Sequence, residues 1–124
     1  MLVADTQDGG LRMRNDDFSH EIFLVFEQPD GIVIASGCSH AGGETVVREA
    51  RTAFPGQPVK AIVGGLHLYE NAADEVERFA RNLLETGVEH VITGHCTGGA
   101  IDGLRAALGP DRVSAFESGA VFDI

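Results

Sequence analysis

Between residues 31 and 116 short apolar runs alternate with longer amphipathic stretches, and this alternation limits the fold more than any other feature. Ile22, Phe23, Leu24, Val25 and Phe26 form one apolar run, the turn signal Pro29-Asp30-Gly31 follows, and Ile32, Val33, Ile34 and Ala35 form the next. The pair reads as a β-hairpin with largely buried strands. Residues 44–54 then place Val46, Val47, Ala50, Ala53 and Phe54 at helical spacing, and Pro55-Gly56 ends that helix. A buried strand over 59–63 leads into Gly64-Gly65. Val76, Phe79, Ala80, Leu83 and Leu84 form the clearest helical stripe, with Asn71 expected as N-cap and Gly87 just past the end. A strand over 90–92, a helix over 99–108 and two closing strands over 113–116 and 120–124 complete the pattern. Residues 1–20 are less regular. The turns at Asp8-Gly9-Gly10 and Asn15-Asp16-Asp17, with Leu11 and Met13 alternating between them, leave room for at most one short strand. Strands separated by helices predict one α/β domain over residues 1–124 with a substantial parallel component.

Charge narrows the function classes. Asp and Glu number 19 against 9 Lys and Arg, for a net charge of −10. Such a balance opposes binding to nucleic acid, where basic side chains must displace counterions. It likewise opposes docking on anionic membranes, and no apolar run approaches the roughly 20 residues that span a bilayer. The N-terminal residues show no basic stretch followed by an apolar one, so they do not read as a secretory signal. Two cysteines are too few for a disulfide framework, and a reduced, cytoplasmic setting is expected. Hydrophobic residues make up 44% of the chain, enough for a core.

Three loops at strand C-termini share a composition: Ser36-Gly37-Cys38-Ser39-His40-Ala41-Gly42, Gly64-Gly65-Leu66-His67-Leu68 and Gly94-His95-Cys96-Thr97-Gly98-Gly99. Strands lying side by side in parallel would bring all three to one edge of the sheet, where ligand sites of such folds gather. Imidazole and thiol groups converging there suit a borderline-soft ion such as zinc. His40 and His95, each in a polar glycine-flanked loop beside a cysteine, favour a functional reading, and so does Cys38. His67, between Leu66 and Leu68, is read first as an ordinary loop hydrogen-bonder. Cys96 is expected to turn into the core as a small apolar residue. His20 and His90 are expected to be ordinary. A nucleophile elbow is absent, since Ser39 lies in Gly-Cys-Ser-His and not in G-x-S-x-G. A nucleophilic Cys38 paired with His67 or His95 remains open.

Taken in order, G-C-S-H-A-G, G-G-L-H-L and H-C-T-G resemble the C-terminal half of a metallo-β-lactamase-fold hydrolase. More narrowly they resemble the branch that includes dihydropterin ribofuranosylaminobenzene phosphate synthase-like proteins. The resemblance runs from about residue 16 to the end, and Asp17 to Leu24 is similar to the lead-in of that branch. It implies half of an αβ/βα sandwich, with one mixed sheet and about three helices. It also implies hydrolysis by water activated on a divalent metal, zinc first, with manganese or iron as alternatives. Cys38, His40 and His95 then fall at metal-ligand positions, and His67, Ser39 and Thr97 at positions that touch substrate or support the ligands. The family signature H-x-H-x-D-H is absent, for no two histidines here are separated by one residue. The resemblance therefore implies a small-molecule hydrolase completed by another segment, either a complementary N-terminal half or a second copy in a homodimer. A non-catalytic assembly domain that dimerises through an exposed sheet is the alternative.

Overall fold

A computed structural model of the chain describes residues 2–5 and 12–124, with side chains from residue 15 onward. Two short strands open it, β1 (Leu2–Asp5) and β2 (Arg12–Asn15), paired antiparallel with Leu2 opposite Asn15 and Asp5 opposite Arg12. The sequence predicted at most one strand here. The turn read at Asp8-Gly9-Gly10, and Leu11 after it, lie outside the described residues.

The main body is a five-stranded sheet in sequence order, formed by β3 (Phe23–Gln28), β4 (Gly31–Ser36), β5 (Val59–Gly64), β6 (His90–Thr93) and β7 (Val113–Ala115). Only the β3–β4 hairpin is antiparallel; β4 to β7 run parallel. Between successive parallel strands lie α1 (Gly43–Ala53), α2 (Ala73–Glu85) and α3 (Ala100–Leu108). Each crossover moves one strand in the same direction, and right-handed crossovers then put all three helices on one face. The single core follows from this arrangement. Ile32, Ile34 and Ile62 from the sheet meet Val47, Leu83 and Leu104 from the three helices, all essentially without solvent exposure.

Helix ends follow local chemistry, with one shift. Asn71 does not cap α2; its N–H closes a turn onto Leu68 O at 3.0 Å. Ala72 takes the N-cap position, and its N–H is satisfied by Glu75 Oε2 at 2.9 Å. Gly87 follows the C-cap Thr86 with φ of 77°, the left-handed conformation that ends a helix at glycine.

Two expectations about strands fail, one because the other sheet face carries no helix and one because a turn diverts the chain. Side chains alternate from Ile22 into β3, leaving Ile22, Leu24 and Phe26 at 82%, 59% and 52% exposure, so this edge strand is only half buried. Residues 120–124 form no strand. Ala120 N–H bonds to Glu117 O in a turn with Gly119 at φ of 89°, and the chain leaves the edge of β7. Phe122 and Ile124 instead line a small cavity with His90, Ile92 and Ser114 on the helix-free face. No helix among the described residues is long and apolar enough to cross a membrane.

Candidate metal centre

Parallel pairing of β4, β5 and β6 brings the three glycine-rich loops to one edge of the sheet, as their sequence predicted. Hydrogen bonds tie them together. Gly65 N–H donates to Gly37 O at 2.7 Å, joining the first two loops, and Leu68 and Tyr69 N–H both donate to Cys96 O at 3.1 Å, joining the second and third. Gly64, with φ of 151°, lies so close to the first loop that a Cβ there would stand 2.2 Å from Ser36 O. Glycine is required by both contact and conformation.

Each loop also holds one non-glycine residue in the left-handed region: Ser39 at φ of 54°, His67 at 50° and His95 at 50°. That conformation costs side-chain-bearing residues free energy, and such residues gather at functional sites. The fourth, Phe18 at 56°, lies in the segment leading to β3 and stacks on His40 with ring centres 5.0 Å apart.

His40 is the best-supported side chain. Its Nδ1 lies 2.6 Å from Glu21 Oε1, and the same carboxylate accepts the backbone N–H groups of His40 and Ala41, each at 2.9 Å. Burial works to raise the Glu21 pKa, but these bonds outweigh it and hold the carboxyl below its ordinary value. An ionised carboxylate can only accept, so Nδ1 carries the proton of this bond and Nε2 is the ring nitrogen left for a ligand. A carboxylate orienting an imidazole in this way is the usual support of a metal-ligating histidine. Glu21 was visible in the sequence only as part of the lead-in to the first loop.

His67 joins His40, with ring centres 4.4 Å apart, and Tyr69 meets His67 edge-on at 5.3 Å. His67 is exposed and in ring contact with another histidine. His95 is exposed on the neighbouring loop, and among the described residues no ring contact or hydrogen bond joins its side chain to the other two.

Cys38 lies beside Cys96, which does not enter the core. A short 3-10 turn, His95–Thr97, carries it. The turn places Cys96 Sγ 3.2 Å from the donating N–H of His67 and 3.8 Å from Cys38 O. Burial pushes the Cys38 thiol pKa up, and the hydrogen bond and charge of Cys96 add to this, with Glu21 contributing further.

Ser39 and Thr97 are buried and brace the loops from within. Ser39 Oγ bonds to Ser36 Oγ at 3.0 Å. Thr97 Oγ1 accepts the Leu66 N–H at 3.0 Å and lies 2.6 Å from Thr93 Oγ1, which itself donates to Gly64 O at 2.8 Å. Thr93 has thus used its proton, and Thr97 must donate to it. Thr97→Val strands the Leu66 N–H and leaves Thr93 one donor short. It should destabilise the protein by about 1–3 kcal/mol, read as a lower denaturant midpoint at unchanged slope.

Among the described residues no group of three or more His, Cys, Asp or Glu side chains is placed to hold one metal ion. The donor types fit zinc, but as part of a coordination sphere. His40 and His67 offer two imidazoles, and Cys38 and Cys96 two thiols, within loops held firmly to each other.

This arrangement of sheet, one-sided helices and edge loops is found in the metal-dependent hydrolases of the β-lactamase superfamily. The crystal structure of one of them, Tm1679, superposes on the chain with a TM-score of 0.81 and 32% sequence identity, covering 91% of this chain and 44% of that one. The narrower likeness is to the 7,8-dihydropterin-6-methyl-4-(β-D-ribofuranosyl)-aminobenzene-5'-phosphate synthase of Methanocaldococcus jannaschii. That enzyme is 34% identical over 83 residues, which are 67% of this chain and 28% of the enzyme. The resemblance read from the three motifs therefore holds in both sequence and structure. The chain spans less than half the length of either relative. No family model matches it.

Proposed function

We propose that this chain forms one sheet-and-helix layer of a zinc-dependent hydrolase and supplies part of its metal centre, the remaining ligands coming from a complementary segment. One observation carries the reading: His40, oriented by Glu21, meets His67 on a braced edge of the sheet. His40 and His67 would hold the metal, with Cys38 on the same loop as His40 and His95 on the third loop. When bound, the metal supplies an activated water for attack on an ester, phosphoester, thioester or lactam. Glu21 keeps the His40 proton on Nδ1, and Tyr69, exposed beside His67, is available to touch substrate. A cavity of about 310 Å³ lined by Phe18, Glu21, Ile22, Phe23 and Val46 opens next to this centre and suits a small molecule. The chain covers 44% of Tm1679, which leaves room in the whole fold for a complementary segment.

Reading the coding region around the gene tests the proposal. An H-x-H-x-D-H segment in the same frame or in the adjoining gene is the expected result, and a neighbourhood without one counts against it. Exposed Leu24 and Phe26 favour a second reading, a non-catalytic domain that dimerises through its helix-free sheet face. Sedimentation equilibrium separates the two. A concentration-dependent dimer abolished by Leu24→Glu with Phe26→Glu supports assembly between copies, whereas a monomer favours the complementary segment.

A further inference from the structure

We propose that Cys38 and Cys96 form a dithiol site that closes into a disulfide across two loops of the metal centre. They are far apart in sequence and follow different strands, yet the fold sets Cys96 Sγ 3.8 Å from the Cys38 carbonyl oxygen, to which it donates. Gly65 makes the approach possible. A Cβ there would stand 2.6 Å from Cys96 Sγ and 3.4 Å from Cys38 Cα, so any other residue would occupy the space between the cysteines. Both cysteines are free and only partly buried, within reach of small reagents.

The chemistry needs an oxidant, and a peroxide suffices. One thiol attacks the peroxide, forming an S–O bond as the O–O bond breaks, and releases water or an alcohol. The second sulfur then displaces the sulfenic hydroxyl: the S–S bond forms, the S–O bond breaks, and water leaves with the second thiol's proton. The two sulfurs lose two electrons together and the peroxide gains them. Disulfide geometry requires Cα atoms about 4.4–6.8 Å apart. Both cysteine loops are tied to the loop between them, the first by Gly65 N–H to Gly37 O and the third by Leu68 and Tyr69 N–H to Cys96 O, which holds the two cysteines near each other.

The pairing stands without the hydrolase reading. Its consequence, that the disulfide withdraws Cys38 from metal and lowers zinc affinity until reduced, rests on that reading. The two are tested separately. Fully reduced protein is treated with hydrogen peroxide, quenched with an alkylating agent under denaturing conditions and examined by mass spectrometry. The expected product is a monomer that has lost two hydrogens and both alkylatable thiols and yields a Cys38–Cys96 linked peptide. Cys96→Ser should abolish the link, and Gly65→Ala should slow it while both thiols remain. Sulfinic acid on separate cysteines, or a link only between chains, overturns the site. Unchanged zinc affinity in cross-linked protein overturns the coupling to metal and leaves the dithiol site supported by its peptide.

Discussion

Gly64→Ala should cost this protein a large share of its stability. The residue ends β5 with φ of 151°, and the new Cβ would meet Ser36 O at 2.2 Å and Ser36 C at 2.9 Å, with Gly37 O at 3.1 Å. All three are backbone atoms, so no flexible side-chain tip can swing away. A disfavoured dihedral costs about 1–3 kcal/mol and steric overpacking about as much again, for a combined loss of about 2–6 kcal/mol. Domains of this size are stable by only about 5–15 kcal/mol. A thermal melt followed by circular dichroism should show a sharp fall in midpoint. By contrast, Gly56→Ala, where nothing lies near the added Cβ but φ is 79°, should cost only the dihedral strain.

The second large effect concerns metal affinity. Glu21→Ala removes the acceptor of His40 Nδ1 and of two backbone N–H groups while deleting no proposed ligand. Loss of such an orienting carboxylate typically weakens metal binding by about 10–100-fold. Zinc titration should show that loss with the far-ultraviolet spectrum unchanged. Affinity equal to that of the native protein would mean that the His40 ring is not used as a ligand in the orientation Glu21 gives it.

Most of the fold was legible because its signals were local. The stripe Val76, Phe79, Ala80, Leu83 and Leu84 needs only helical spacing to be read, and α2 carries it, with Val76, Ala80 and Leu83 buried and Leu84 left exposed. The common edge of the three loops followed from parallel strands separated by helices. Long-range facts were less visible. Leu24 and Phe26 look like core in a run of five apolar residues, and only the one-sided placement of the helices exposes them. Residues 120–124 have strand composition, yet the turn at Gly119 carries them off the edge. In the site, the residue types and loops were evident, but their pairing depended on backbone conformations that composition does not encode. A single 3-10 turn moves Cys96 from an expected core position to the side of Cys38. Left-handed backbone at His67 accompanies its meeting with His40. Glu21 supports His40 from nineteen residues away, a distance no local pattern spans.

The central claim, that His40 and His67 belong to one metal centre, is tested most directly by calorimetric zinc titration of the native chain and of the His40→Ala, His67→Ala double variant. The native chain should bind zinc, and the double variant should lose that binding while retaining its thermal midpoint. Equal zinc affinity in the two folded proteins would contradict the assignment.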